Sequence, residues 1–200
     1  MSRLTSTSSL PIDALQFATD RFATKLKVFV AGPELQKTWS GHEWRRKSPS
    51  ALLRLRVHIH LELSNHESVL GEHTVITKMA ATTIPDTPSV VVTETYVVAT
   101  SCSAIILIPD SPGSFCELAS WTQSEELAAK MLILADKQYE YHSSYINPGV
   151  FSIATDNHAT LAWVDYRNWR SVSDVVNKFL DSRQQKIFRR NLFHGKLNKR

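Results

Sequence analysis

Glycine is scarce in this chain, with six residues in 200, at positions 32, 41, 71, 113, 149 and 195. None falls at the spacing of Gly-x-Gly-x-x-Gly or of a P-loop, so neither glycine-rich phosphate cradle is present. A nucleotide bound here would have to be held another way. Cysteine is scarcer still, with only Cys102 and Cys116. They lack the paired spacing of a zinc site and are too few for a disulfide scaffold. That usage fits a reducing cytoplasm and a role as small core hydrophobes. No stretch approaches the roughly 20 apolar residues of a membrane span. The opening MSRLTSTSSLPID has no apolar segment of the secretory kind and reads as a polar arm.

Negative charge is missing after Asp181, and this absence reshapes the formal net charge of +4. Arg183, Lys186, Arg189, Arg190, Lys196, Lys199 and Arg200 supply seven of the 23 basic residues, leaving 16 basic against 19 acidic groups in residues 1–182. The basicity is a property of the tail. A basic tail suits a polyanion such as nucleic acid, although solvated tails of this kind are common. The chain therefore divides into an arm over 1–25, a domain over 26–182 and a basic tail over 183–200.

What is present is a series of short, continuous apolar runs. LKVFVA at 26–31 stops at Gly32-Pro33 and reads as a buried strand. Ser48-Pro49 caps a short helix through about Arg56. VHIHLEL at 57–63 alternates and reads as a half-buried strand, and residues 64–90 as a long surface loop. VVVTETYVVAT, within 90–103, fits either a strand or a crossover helix. Strands then follow at 104–108, 131–135, 150–154 and, more briefly, 162–164. Helices are expected over about 115–130 and 172–190, the second capped by Ser171 with Asp174 three positions on. Apolar strands alternating with helices predict an α/β fold. The expected form is a doubly wound, flavodoxin-like parallel sheet of about five strands in a three-layer sandwich. Ligands are then expected beyond the carboxyl ends of the strands.

The segment IPDSPGSFCEL at 108–118 joins one such strand to a helix. Ser114 and Glu117 have capping-box spacing, which gives Glu117 a purely structural role. The same placement also allows chemistry. An ionised carboxylate at a helix N-terminus, open to a cleft, can attack or stabilise a developing oxocarbenium centre. Amides around 113–115 could then hold a ligand oxygen. Four histidines, His58, His60, His66 and His73, lie close in sequence, the first two on one face of the expected strand. Their spacing matches no metal motif, and no metal is expected. The segment 39–46, WSGHEWRR, mixes indoles and cations, and Tyr139, Tyr141 and Tyr145 follow the fourth strand.

Strand, then Asp-Ser-x-Gly-Ser-x-x-Glu-Leu-Ala, then helix resembles the active-site segment of nucleoside 2-deoxyribosyltransferase-like proteins. Ala31-Gly32-Pro33 resembles that family's first substrate loop. Ile106 to Phe115 with Glu117-Leu118, and Ser144-Tyr145-Ile146-Asn147 later, are similar to a branch found as effector toxins beside bacterial retrons. The resemblance implies cleavage of a glycosidic C–N bond in a nucleoside, a nucleotide or NAD, without a cofactor. It implies Glu117 as nucleophile and Asp110 as an acid beside it. Gly32, Pro33, Ser111, Gly113, Ser114 and Tyr145 would contact the substrate. It further implies a reverse transcriptase and its RNA–DNA product as partners, reached through the basic tail, and a homo-oligomer. Two other readings fit the same residues: a non-catalytic module sensing a nucleotide or ADP-ribose, and a nucleic-acid-binding partner subunit.

Overall fold

The computed structural model describes residues 24–35, 48–72, 90–143 and 146–193. The elements, in chain order, are β1 (Lys27–Ala31), α1 (Pro49–Leu63), β2 (Glu67–Val69), α2 (Val90–Ser101), β3 (Ala104–Leu107) and α3 (Pro112–Trp121). They continue with α4 (Glu125–Ala128), β4 (Met131–Asp136), α5 (Ser152–Asp156), β5 (Thr160–Val164) and α6 (Trp169–Phe193). A 3-10 turn at Lys137–Tyr139 and a π-helical turn at Ile146–Phe151 lie between β4 and α5. The five strands form one all-parallel sheet in the order β2-β1-β3-β4-β5, with helices flanking it in a three-layer arrangement. The expected α/β sandwich is what the chain forms.

The core follows from strand alternation. Phe29 and Ala31 of β1, Ile105 and Leu107 of β3, and Met131 and Ile133 of β4 join one apolar cluster with Val97 and Val98 of α2 and Leu118 and Trp121 of α3. Phe29 meets the Trp121 ring edge-on, with centroids 5.7 Å apart. The intervening residues Val28, Val30, Ile106 and Leu132 face the other way and are just as buried. A sheet covered on both faces needs such unbroken apolar strands. The chain partitions into two compact units, residues 25–183 and residues 1–24 with 184–200. The sheet and everything described below belong to the first.

Several local expectations are corrected. VHIHLEL is the second half of α1, not a strand. Val57 and Leu61 are fully buried four residues apart, while Ile59 is 46% and Leu63 83% exposed, so the apparent period of two comes from apolar residues left in solvent. The sheet member from this region is β2, inside the stretch read as a loop. VFSIA at 150–154 is helical, with Phe151 and Ala154 buried at a spacing of three. Residues 90–101 form the crossover helix. The helix expected over 115–130 breaks at Thr122 into α3 and α4. Asn168, rather than Ser171, stands at the start of α6 and accepts from Ser171 N at 3.3 Å. Cys102 is buried, and that burial pushes its thiol up to about 11, but Cys116 is exposed and is not a core residue.

Two cations, buried Lys130 and half-buried Arg183, tie the framework together. Lys130, at the entrance to β4, donates to the carbonyls of Val98, Ala99 and Cys102 at 2.8, 2.9 and 3.2 Å, closing the end of α2. Arg183, counted in the basic tail by sequence, donates to Ser103 O and Ala129 O. Among the described residues no helix is long and apolar enough to cross a membrane.

Candidate active site

The order 2-1-3-4-5 reverses direction between β1 and β3, and a parallel sheet opens a crevice at that point beyond its carboxyl ends. A cleft of about 320 Å³ lies there. Its walls include Gly32 after β1, Arg54 of α1, Gly71 and Glu72 after β2, Glu94 of α2, and Ser111, Gly113, Ser114 and Glu117 from the start of α3.

The turn into α3 is built by two serines. Ser111 is the N-cap, and its side chain accepts from Ser114 N at 3.2 Å. Ser114 Oγ accepts from Ser111 N at 3.0 Å and Asp110 N at 3.1 Å. The capping box is therefore Ser111–Ser114, not Ser114–Glu117, and Glu117 is left out of the helix cap. The amides of Ser114 and Phe115 are taken by Ser111 Oγ and Ser111 O, so they do not offer the anion cradle expected of 113–115.

Glu117 instead reaches the cleft. Its Oε2 is buried and meets no hydrogen-bond donor among the described residues. Burial pushes its carboxyl up to about 7, the neighbouring Glu94 and Glu72 charges add to this, and Arg54 opposes it. Glu94, 9% exposed, is raised by burial and by Glu72, again against Arg54. Glu72 behaves oppositely. Its burial is outweighed by hydrogen bonds and charge from Arg54, which hold it below the usual carboxylate range.

Arg54 is 3% exposed and fully engaged. Its Nη1 pairs with Glu72 Oε1, and its Nη2 with Glu72 Oε2 at 2.9 Å. It also donates to Val30 O and to Pro33 O at 2.8 Å each. Glu72 Oε1 accepts in turn from Leu35 N at 3.0 Å. This clamp joins α1, the exit of β1 and the exit of β2. With Arg54 satisfied by Glu72, Glu94 and Glu117 remain as two electrostatically coupled carboxyls in a poorly solvated site. Like charges so placed do not both ionise readily.

Two glycines border the cleft in opposite circumstances. Gly32 has φ +153°, and a Cβ there would lie 3.1 Å from Arg54 Cδ and 3.3 Å from Ile108 O. Gly113 is the reverse case, since a Cβ would meet nothing within 4 Å. Packing does not exclude a side chain at Gly113, but the cleft it borders would be narrowed by one. Gly113→Val is therefore expected to leave stability within about 0.5 kcal/mol of wild type in urea unfolding. It should also weaken any ligand of the cleft by about tenfold or more in a binding titration.

The carboxyl shifts also set a pH dependence. Unfolded, Glu117 loses its proton near 4.5; folded, near 7. The folded state binds more protons between those values, so this group makes stability fall as pH rises from about 4.5 to 7, and then level off. The full effect is at most about 3 kcal/mol. Urea unfolding of wild type and Glu117→Gln at pH 5 and pH 8 is expected to show the variant relatively more stable at pH 8, and an identical pH slope would refute it.

A model of the family described as STM3845 retron effector protein matches residues 54–200, well over half of the chain. The chain belongs to this retron effector family. A second comparison pairs 53 residues, at 38% identity, with an Escherichia coli protein named "Retron Ec86 putative ribosyltransferase/DNA-binding protein". That match takes in 26% of this chain and 17% of the relative's length.

The residues singled out from sequence fall unevenly in this retron effector. Glu117, Gly32, Ser111, Gly113 and Ser114 share the cleft. Pro33 contributes its carbonyl to Arg54. Asp110 takes the Ser50 hydroxyl and borders two cavities whose walls do not include Glu117. Tyr145, His73 and the segment 39–46 lie outside the described residues. His58 and His60 sit on a helix, not a strand face, and bond to Ser68 and Asn177, while His66 accepts from Leu26 N. Among the described residues no group of three potential ligands could hold a metal. Arg54, Glu72 and Glu94 were not anticipated. Glu94 had a signal: it is the only charged residue between Asp86 and Asp110.

Proposed function

We propose that this retron effector is an N-glycosidase, cleaving the C–N bond between a ribose-type sugar and a base in a nucleoside, nucleotide or NAD. The observation that carries the reading is the buried, donor-free Glu117 oxygen in a cleft shared with Glu94. A carboxylate placed this way is poorly stabilised at rest and gains from a positive charge developing beside it. An oxocarbenium-like sugar supplies that charge.

In this reading Glu117 attacks the anomeric carbon as the C–N bond breaks. The bonding pair stays with the base nitrogen, which takes the proton held by Glu94. The pull of the developing cation keeps Glu117 ionised, and the coupling leaves the proton on Glu94. Water then adds to the anomeric carbon, gives its proton to Glu94, and releases Glu117 as carboxylate. The two coupled acids provide a nucleophile and a proton donor from residues of one type. Asp110 is not assigned a step, because it borders other cavities.

The competing reading of Glu117 as a helix cap loses its basis, because Ser111 and Ser114 close that cap between themselves. The family supports a retron reverse transcriptase and its RNA–DNA product as regulators. The named DNA-binding function of the Escherichia coli relative agrees with the basic tail as their contact. Incubation with deoxynucleosides, nucleotides and NAD, followed by chromatography, is expected to show free base from at least one of them. Absence of free base from all three classes would overturn the proposal.

A further inference from the structure

A second cavity lies on the opposite side of β3 from the Glu117 cleft, and the chemistry above makes no use of it. It encloses about 330 Å³ beyond the ends of β3, β4 and β5. Two edge-to-face ring pairs contribute to its walls. Phe151 and Trp163 lie with centroids 5.4 Å apart at 86°, and Tyr139 and His142 with centroids 5.4 Å apart at 87°. Phe115 borders it as well, and Phe115 and Tyr139 stay 39% and 46% exposed. Folding alone gives no reason to leave these rings in water around a hollow.

Asp110 and Asp136 also border the cavity. Asp136 accepts from Gln138 N and Gln138 Nε2, each at 3.0 Å, and Asp110 accepts the Ser50 hydroxyl through Oδ2. A carboxylate has about four acceptor positions, so both retain capacity for a further donor. The same two residues border a more polar cavity of about 440 Å³, whose walls also carry a third acid, Asp165, and two cations, Lys137 and Arg167. Aromatic walls with acceptor-only groups favour a flat ring bearing amine donors. Lys137 and Arg167, beside Asp165, are the cationic donors there for an attached phosphate.

We propose that these two adjoining cavities form a binding site for a nucleotide whose base carries an exocyclic amine, distinct from the Glu117 cleft. The ring lies among Tyr139, Phe151 and Trp163 with its amine toward Asp110 and Asp136, and the phosphate lies near Lys137 and Arg167. The proposal does not depend on what chemistry Glu117 performs.

AMP and inosine monophosphate test it, since the second carries a carbonyl where the first has its amine. Calorimetric titration of the full chain is expected to show AMP binding at least about tenfold tighter than inosine monophosphate. Asp136→Asn keeps an acceptor for Gln138 N and removes the charge, and should lose most of that preference. Tyr139→Ala, at an exposed position, should weaken AMP with an unchanged melting temperature. The AMP site that Tyr139→Ala weakens should keep its affinity in Gly113→Val, which narrows the other cleft. Equal affinity for the two nucleotides overturns the proposal. So does AMP binding that survives Tyr139→Ala and disappears in Gly113→Val, which would put the nucleotide in the Glu117 cleft. Failure of AMP to bind at millimolar concentration overturns it as well, and would leave the exposed rings to a protein partner.

Discussion

Replacing Glu117 with glutamine is expected to reduce release of free base by about a thousandfold or more, measured by chromatography on whichever substrate wild type cleaves. Glutamine matches the shape of the carboxyl but cannot attack carbon or balance an oxocarbenium charge. The fold should tolerate it, because Glu117 takes no part in capping α3 and its Oε2 has no donor to lose. Lost activity in a protein that melts no earlier separates a chemical role from a structural one. Glu94→Gln, measured in parallel, should cost about a hundredfold, with the larger loss on bases that leave poorly without a proton. Base release by Glu117→Gln at the wild-type rate would end the case for Glu117 as nucleophile.

Arg54→Met is expected to cost about 3–5 kcal/mol in urea unfolding. The substitution strands Glu72 in a half-buried position without its cation, and removes donors from Val30 O and Pro33 O. Breaking one side of a buried ion pair is more damaging than replacing both, so Arg54→Met with Glu72→Leu should recover a large part of the loss. The single change should also raise the Glu94 and Glu117 carboxyls further, since Arg54 is the positive charge acting on both. A loss below about 1 kcal/mol for Arg54→Met would mean that the clamp does not hold the cleft walls.

The fold was legible where burial leaves no choice. β1, β3 and β4 are short runs, apolar except for Lys27 at the start of β1 and Asp136 at the end of β4, because both faces of a parallel sheet are covered, and each was placed within a residue or two. Legibility failed where pattern and burial part company. VHIHLEL alternates like a strand, yet only Val57 and Leu61 are buried, and α1 leaves Ile59 and Leu63 exposed. β2 is three residues long with an exposed glutamate first, too little periodicity to register. At the site, IPDSPGSFCEL marked Glu117 because the strand, the turn and the helix are contiguous there. Glu94, Glu72 and Arg54 reach it from α2, the end of β2 and α1. Only folding brings them together, and no spacing in the chain encodes that meeting. Asp110 and Glu117, seven positions apart across a strand-to-helix turn, border different cavities.

The Lys130 ammonium at the end of α2 has a bearing on Glu94. Three carbonyls from the closing turn and its exit converge on one atom rooted at the start of β4. Fraying of that turn would therefore leave a desolvated ammonium behind, a steep toll for a small excursion. The helix bearing Glu94 is thus moored to the start of β4 in the sheet, which holds that acid at its station in the cleft wall.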